Sequence, residues 1–341
     1  MDGGEDWGMA TARGLVVAEG EVAAYHCVAR CVRRAFLCGQ DALTGKSFEH
    51  RREWVRERLE LLAGNFAVDV GGYAAMSNHL HVVLKSRPDV ASEWSAEEVT
   101  RRWRAIFRPL GVSAATLQTK IEIEMADAKL VATRRQRLAS VSWFMRCLSE
   151  PIARRANIED RCKGRFWEGR FKCIALLDQA AILACTAYVD LNPVRALIAK
   201  TPESSAFTSV HARIEQRRDE LPESKAKDGW LAPIAEKPRR AKPVRRASQT
   251  PWLEISLDDY LRLLDWTGRE IRTNKRGAIP VDVAPILDRL KVKPSGWLKC
   301  VEHFGKLFKR AAGSPSKIEL RTQTHHYKRH PGAANCQSAF S

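Results

Sequence analysis

The segment from Tyr73 to Lys85 constrains the fold more than any other part of this sequence. Most of its residues are apolar, two histidines lie inside it, and it predicts an extended strand. Successive side chains of a strand point to opposite faces, so His79 and His81 would share one face while Leu80 enters the core. Two neutral imidazoles held side by side can bind a divalent cation and leave coordination positions open. The same short pattern also arises by chance, when two histidines without a ligand role lie on a strand that is partly exposed to solvent.

The neighbouring segments predict an α+β fold. Residues 21–39 alternate with a period of two, residues 47–63 have helical spacing, and residues 66–73 form a further strand before the histidines. The order strand, helix, strand, turn, strand is typical of an antiparallel sheet with helices packed on it. We therefore expect the histidines to lie within such a sheet.

Charge and cysteine usage restrict the class of partner. The formal net charge is +17, which favours a polyanionic partner, most often nucleic acid. The nine cysteines include no Cys-x-x-Cys pair, so the sequence indicates neither a disulfide framework nor a zinc ribbon. No apolar run approaches the roughly 18 residues of a membrane span. We expect a cytoplasmic protein, because the sequence indicates free thiols and neither a secretory signal nor a membrane partner.

A short segment at residues 164–172 interleaves basic and aromatic residues in a pattern suited to nucleic acid. The basic side chains could meet phosphates while the aromatic rings stack on unpaired bases. The alternative is that the aromatic rings pack against the sheet as part of the core and only the basic side chains reach solvent. The candidate DNA-binding residues here are Arg165, Trp167, Arg170 and Lys172.

A candidate nucleophile lies on a later helix. Asp178 is predicted to cap a helix from Gln179 to about Leu191, and Tyr188 and Asn192 are four residues apart, on one face near its end. The amide oxygen of Asn192 is a suitable third metal ligand beside two imidazoles, and the phenol of Tyr188 can attack phosphorus once deprotonated. Taken alone, Tyr188 could equally be a packed helix tyrosine.

Three motifs in the same order give the sequence a family resemblance. Residues 77–81 resemble the histidine–hydrophobe–histidine motif of HUH-type single-tyrosine transposases, and residues 164–171 resemble their Gly-x-x-Trp-x-x-x-Phe region. Residues 188–196 resemble the tyrosine–Asn-Pro-Val block of the subgroup called REP-associated tyrosine transposases. Three separate motifs in family order are more specific than any one of them.

That resemblance implies a ferredoxin-like domain that acts on single-stranded or hairpin DNA with Mg²⁺ or Mn²⁺. His79 and His81 would be metal ligands, Asn192 a less certain third ligand, and Tyr188 the nucleophile that forms a 5′-phosphotyrosine link. Arg195, in the same block as Tyr188, is a further candidate DNA contact. Related enzymes occur as monomers and as homodimers, and the sequence decides neither this nor which metal is used.

The resemblance also suggests a division of the chain. The predicted catalytic domain spans residues 14–215 with a helical insertion at about 88–140. A basic, proline-rich linker is predicted at 216–251, and its run at 237–246 could add salt-sensitive affinity for nucleic acid. A small helical module is predicted at 252–312, with helices over 256–272, 281–290 and 295–312. A disordered tail is predicted at 313–341, and we expect its histidines at 325, 326 and 330 to be solvated.

Three other functions are compatible with the sequence. The protein could be a domesticated DNA-binding protein that uses the fold for recognition. It could be a replication initiator or relaxase that nicks plasmid DNA, although the tyrosine block fits the transposases better. It could also be a basic RNA-binding module with incidental histidines.

Overall fold

The computed structural model describes residues 16–32, 36–108, 111–218, 229–234, 246, 248, 250–273, 294–324 and 333–340. Within this part of the chain, no helix is both long and apolar enough to cross a membrane.

A five-stranded sheet organises the fold. Its strands are β1 (Ala24–Arg30), β2 (Val68–Ala75), β3 (His79–Ser86), β4 (Lys172–Leu176) and β5 (Ala311–Ala312). They lie in the order β2-β3-β1-β4-β5, with antiparallel pairing throughout except for the parallel β4–β5 pair. The first four strands therefore have the order of a ferredoxin-like sheet, which confirms the predicted α+β class.

Helices cover both faces of this sheet. Helices α1 (Arg51–Ala63) and α6 (Val141–Glu159) pack against each other and against β2 and β3. Helix α7 (Gln179–Asp190) lies on the other face, where Thr186 is beside Gly72 and Val83. Because both faces are buried, the central strands are apolar on both sides, and alternation alone does not reveal which face carries the site.

The predicted insertion is helical. It contains α2 (Pro88–Ser92), α3 (Ala96–Ile106), α4 (Ala114–Ala126) and α5 (Ala128–Leu138). Each of the last three begins at a side-chain cap, since Ser95, Ser113 and Asp127 each accept a hydrogen bond from a backbone N–H of the first turn.

The C-terminal segments pack onto the sheet domain instead of forming a separate unit. They comprise α8 (Asn192–Arg195), a 3₁₀ turn (Pro202–Ser204), α9 (Ser209–Arg218), α10 (Leu257–Thr273), α11 (Pro294–Leu307), α12 (Pro315–Thr324) and α13 (Ala333–Ala339). The indole of Trp252 fills the space above Gly71 and donates to Thr186 Oγ1 at 3.2 Å. Helix α11 packs along α7, and its Trp297 donates to Thr267 Oγ1 of α10 at 2.9 Å.

One buried carboxylate links three of these helices. Asp190, at the end of α7, accepts hydrogen bonds from Tyr260 Oη (2.6 Å) on α10 and from Ser209 Oγ and Val210 N (2.9 Å) on α9. Because Asp190 is fully buried, the loss of any of these donors would leave one of its hydrogen bonds unmade and would destabilise the fold. This network fixes α10 beside the end of α7.

Three sequence expectations about the C-terminal part are wrong or incomplete. The tail after Gly313 was expected to be disordered, but it contains α12 and α13, and Cys336 and Phe340 are buried because they pack beside α11. The helix expected from 295 to 312 ends at Leu307, and residues 311–312 instead pair with β4. The helix expected at 281–290 and the histidines at 325, 326 and 330 lie outside the described residues.

The predicted linker is partly structured. Residues 229–234 lie against β2, where Ala232 N donates to Val70 O at 2.8 Å. Arg246 donates to the carbonyls of Gly229 and Leu231, both at 2.9 Å. Trp230 is buried there because its ring packs on Tyr73. The basic run at 237–245 lies outside the described residues, so its contribution to DNA binding stays a prediction.

The two edge strands of the sheet are β2 and β5. Along β2, Gly71 O accepts from Arg213, Tyr73 N donates to Ser209 Oγ, and Ala75 N donates to Phe207 O. On the other side, β4 is paired with β5, where Ala175 N and Leu177 N donate to the carbonyls of residues 310 and 312 at 2.8 and 2.9 Å. These edge groups of β2 therefore have partners from the same chain, and the opposite edge is a strand of two residues.

The packing of Trp252 on β2 can be tested with Gly71→Ala. A Cβ at position 71 would overlap the indole of Trp252, so we expect the free energy of unfolding to fall by about 1–3 kcal/mol. The measurement is urea unfolding followed by circular dichroism. Gly169→Ala is the control, because a Cβ there meets nothing within 4 Å. Equal stability of the two variants would contradict the docking of Trp252 on the sheet.

Candidate functional site

The two predicted ligand histidines lie at the start of β3, as the sequence indicated. In the β1–β3 pairing, Arg30 is opposite His79 and Val28 is opposite His81. Residues directly opposite each other point to the same face, so these four side chains share the face covered by α7. His81 is fully buried and His79 is half-buried, which places the pair at the rim of the core.

Hydrogen bonding sets the orientation of His79. Its Nδ1 lies 2.6 Å from Oδ1 of Asn78, an oxygen that can only accept. His79 Nδ1 therefore carries the proton in the neutral ring, and Nε2 carries the lone pair. This is the tautomer in which an imidazole can coordinate a metal through Nε2.

His81 is held by a residue that the sequence analysis did not select, His26 on β1. His26 Nε2 lies 2.9 Å from His81 Nδ1, and the two rings are nearly parallel, with an interplanar angle of 10°. His81 Nε2, on the other side of the ring, is buried without a hydrogen-bond partner. If His81 Nδ1 donates to His26, both His79 and His81 present an Nε2 lone pair.

The sequence contained a signal for His26. It shares a strand face with Val28 and Arg30, as the alternation in β1 indicates, and that face also carries His79 and His81. Sequence alone could not give the register between β1 and β3, and without the register His26 is one more polar residue in a strand.

Burial keeps both inner histidines neutral. Burial, together with a smaller effect of the nearby His79, lowers the pKa of His26 from 6.5 to about 3. Burial likewise lowers the pKa of His81 well below its usual range, aided by His79, His26 and Arg195. Neutral imidazoles are the form that binds metal ions, so this environment favours coordination over protonation.

The candidate nucleophile Tyr188 lies directly over these rings. Helix α7 begins at Asp178, whose side chain accepts from Ala181 N at 2.9 Å, and it carries Tyr188 to the histidine end of the sheet. The Tyr188 ring centroid is 5.6 Å from that of His81 and 5.8 Å from that of His26, in edge-to-face geometry. The structure therefore brings the predicted tyrosine and the histidines together.

Two further side chains enclose Tyr188. The guanidinium of Arg195 lies 4.7 Å from the centre of the tyrosine ring, and Phe304 of α11 packs on it with centroids 5.8 Å apart. Tyr188 is fully buried as a result. The position of Phe304 was not predictable, because it comes from a helix more than a hundred residues later in the chain.

Asn192 begins α8 immediately after α7. It is buried, and its Nδ2 atom has no hydrogen-bond partner. Its backbone carbonyl accepts from Ala196 N at 2.9 Å, so the chain continues in a helical turn past Leu191. A role as metal ligand remains a prediction.

The residues present fit part of a metal site. An orphaned buried imidazole nitrogen on His81 and a neighbouring imidazole, with ring centroids 4.7 Å apart, suit a divalent cation. Within the described residues, no group of three or more His, Cys, Asp and Glu side chains could hold a metal ion. A complete site would therefore need an amide such as that of Asn192, water, or substrate oxygens.

The other candidate DNA-binding residues divide into two groups. Lys172 is opposite Val28 on the face that carries His81, two strands away and so about 10 Å distant. Arg165 and Arg170 are exposed on the loop before β4. Trp167 is half-buried and donates from Nε1 to Ser149 O at 2.9 Å.

The aromatic residues of the same loop are partly structural. Phe166 is buried, and Cys31 of the chain after β1 forms a β-bridge with Trp167. The loop is thus fixed beside the end of β1 that carries Arg30. DNA contact by Arg165, Trp167, Arg170 and Lys172 stays a prediction.

Comparison with known proteins gives one weak similarity. The chain is similar to a solved structure described as "Structure of the REP associates tyrosine transposase bound to a REP hairpin", with 12% sequence identity and a TM-score of 0.36. The match covers 65% of this chain and 95% of that one. No protein-family model matches the chain, and no curated protein matches it. A likeness of this strength establishes neither the family nor the activity of this chain.

The buried histidine pair predicts a pH-dependent stability. Below about pH 6.5 the unfolded chain protonates both histidines while the folded protein keeps them neutral, so the free energy of unfolding falls as pH drops from 6.5 toward 3. Each histidine contributes a slope of up to about 1.4 kcal/mol per pH unit. Urea unfolding between pH 6.5 and 5 in EDTA should show a shallower slope for His26→Gln than for the wild type.

His211→Gln serves as the control for that experiment. His211 lies on α9 and is half-exposed, with Nδ1 2.9 Å from Glu203 O. Its substitution should leave the slope unchanged. The interpretation of His26 is wrong if the His26→Gln slope equals that of the wild type.

Proposed function

We propose that the protein is a divalent-metal-dependent DNA strand transferase that cleaves and rejoins single-stranded or hairpin DNA through a tyrosine. The observation that carries this proposal is the position of the Tyr188 ring, 5.6 Å from a buried, neutral His81 that is itself paired with His26. A structural tyrosine would not require two inner histidines with no hydrogen-bond partner on their outer nitrogens.

The proposed reaction balances without an external energy source. Tyr188 Oη attacks phosphorus, so an O–P bond to tyrosine forms and the bond from phosphorus to the 3′ oxygen breaks. The products are a 5′-phosphotyrosine and a 3′-hydroxyl, and the proton lost by the phenol ends on the 3′ oxygen. A 3′-hydroxyl from another strand reverses the step and rejoins the DNA.

Each residue of the site has a separate role in this proposal. His79 and His81 would hold a Mg²⁺ or Mn²⁺ ion, with Asn192 as the proposed third protein ligand. Such an ion would polarise a non-bridging phosphate oxygen and stabilise charge on the leaving oxygen. His26 would orient His81, and the fixed charge of Arg195 beside the Tyr188 ring would attract the phosphate.

DNA as the partner is supported by charge. The chain has a formal net charge of +17, and Arg30 and Lys172 share the sheet face of the histidines. Arg165 and Arg170 are exposed on the adjoining loop. These side chains could follow a strand that leaves the site, because basic residues along a groove neutralise the backbone of single-stranded nucleic acid.

The burial of Tyr188 favours one alternative function. Phe304 packs on the fully buried phenol ring, so a phosphodiester would reach Tyr188 only after side chains that enclose it, such as Phe304, move. A protein that binds DNA without cleaving it would need no such movement. A domesticated DNA-binding protein is therefore the second candidate.

Trapping of a covalent adduct separates the two candidates. The full-length protein is incubated with a labelled hairpin oligonucleotide with single-stranded flanks and with Mn²⁺, then denatured and examined by gel electrophoresis. We expect an adduct that resists denaturation in the wild type, and its complete loss in Tyr188→Phe or with EDTA, because the nucleophile or the metal is then absent. Tyr73→Phe, a buried tyrosine of β2, is the matched control and should retain the adduct.

Two results would count against the strand transferase. Cleavage by Tyr188→Phe would place the nucleophile elsewhere. Hairpin binding without any adduct in Mg²⁺ or Mn²⁺ would favour the DNA-binding alternative. Transfer of the labelled strand to a second oligonucleotide with a free 3′-hydroxyl would distinguish rejoining from simple nicking.

Metal binding tests the role of His26 without activity. A His26→Gln variant loses the partner that fixes the His81 ring, so we expect its affinity for Mn²⁺ to fall about 10- to 100-fold in a calorimetric titration. His211→Gln should bind Mn²⁺ as the wild type does. Unchanged affinity in His26→Gln would show that His26 does not position a ligand.

A further inference from the structure

A second region of the molecule combines a cavity, exposed aromatic rings and a guanidinium without a carboxylate partner. The cavity has a volume of about 270 Å³ and lies between the N-terminal segment at 17–20, the end of β3 at Ser86, and the junction of α5 and α6. Arg137, Ser140 and Trp143 line its α5–α6 side. This region is separate from the histidine site, since Ser86 and His81 are five residues apart on β3, about 17 Å.

Trp143, which lines the cavity, belongs to a continuous group of aromatic rings. The Trp143 ring centroid is 5.9 Å from that of Trp103 on α3, and Trp103 is 4.5 Å from Phe107. All three side chains reach solvent at least in part, and Phe107 is 37% exposed. Rings that serve only as core would be covered, so these provide faces on which a planar group could stack.

Arg137 is the basic group of this region. Its guanidinium lies 4.4 Å from the Trp143 ring centre and 5.9 Å from that of Trp103. Four other arginines of the insertion are paired with acids, Arg101 with Glu97, Arg102 with Glu98, and Arg104 and Arg134 with Glu124. Arg135 instead donates to the backbone carbonyls of Ala91 and Trp94. In the described part of the chain, no carboxylate lies within salt-bridge distance of Arg137.

The lining also includes groups of other kinds. Gln136 is exposed and offers an amide donor and acceptor, which suits the edge of a base. Glu19, in the N-terminal segment, is the acidic residue of the lining. Beside the cavity, Arg146 lies 5.0 Å from the centre of the Trp143 ring and forms an ion pair with Glu150.

We propose that this region is a second nucleic-acid site, which takes an unpaired base of single-stranded DNA. The base would enter the cavity or stack on Trp143, and Arg137 would bind the adjoining phosphate. The volume is near the lower limit of small-molecule pockets, which fits one nucleotide better than a larger ligand. The proposal deepens the proposed function and rests on it, because the cavity would give the single-stranded substrate a second contact away from His81.

Binding measurements test this site independently of cleavage. Fluorescence anisotropy with a labelled single-stranded oligonucleotide of about 15 nucleotides, in EDTA, gives the affinity of the full-length protein without chemistry. Arg137→Gln removes one phosphate contact, so the slope of log K against log salt should become shallower by about 0.7. Arg101→Gln is the matched control, because it removes the same charge from an exposed arginine that is paired with Glu97, and the slope should not change.

The stacking component is tested separately. Trp143→Leu should weaken single-strand binding roughly 5- to 100-fold, as expected for the loss of one base–aromatic stack, while Trp143→Phe should retain most of the affinity. Duplex DNA of the same length should bind equally well to the wild type and to Trp143→Leu. If Trp143→Leu fails to fold, the salt slope of Arg137→Gln decides the question.

Three outcomes would overturn the proposal. Wild-type affinity in Trp143→Leu together with an unchanged salt slope in Arg137→Gln would show that this region does not bind single-stranded DNA. An equal loss of affinity for duplex DNA in Trp143→Leu would show that the region binds the sugar-phosphate backbone of any DNA. Tighter, Trp143-dependent binding of the same sequence as RNA would assign the site to RNA. Because these binding measurements are made in EDTA and do not depend on cleavage, failure of the cleavage chemistry and failure of this site are distinguishable.

Discussion

The register between β1 and β3 is the constraint on which the candidate site depends. It places His26, His79 and His81 on one face, with the first and last of these in hydrogen-bond contact. A shift of one residue would turn His81 into the opposite face and bring Leu80 or Val82 under Tyr188. Since both faces of the sheet are buried, such a shift would also disrupt the packing of α7 and α1, which makes the register strongly determined.

Local sequence patterns were enough to predict the antiparallel α+β sheet, the helical insertion and the cap of α7 at Asp178, while the ferredoxin-like architecture was expected from the family resemblance. They were also enough to select Tyr188 and the two histidines of β3, because strand alternation and helical spacing fix which side chains share a face. They could not supply His26 or Phe304 as neighbours of Tyr188. Those contacts join segments that are far apart in the chain, and no local period encodes the pairing of one strand or helix with another.

The same limitation explains the errors at the C-terminal end. The tail contains few apolar residues, so its composition suggested disorder, yet Ile318, Cys336 and Phe340 are each buried. Trp252 looked like part of a separate helical module, but its indole occupies space that only a glycine at 71 leaves open. The C-terminal helices complete the core over α7, and the buried Asp190 network attaches them to it. Any strand that reaches Tyr188 must therefore offset the cost of exposing Phe304, which lowers the apparent affinity of the site.

The edges of the sheet have a consequence for how the protein meets other molecules. An open edge strand invites a second chain to add its own strand, which is a route both to peptide recognition and to aggregation. Here the backbone groups of β2 are taken up by α9 and residues 207 and 232, and β5 at the opposite edge is only two residues long. Along β2, a partner must therefore be recognised through side chains on the helices and loops, and β5 offers little length for extension of the sheet by a second copy of this protein.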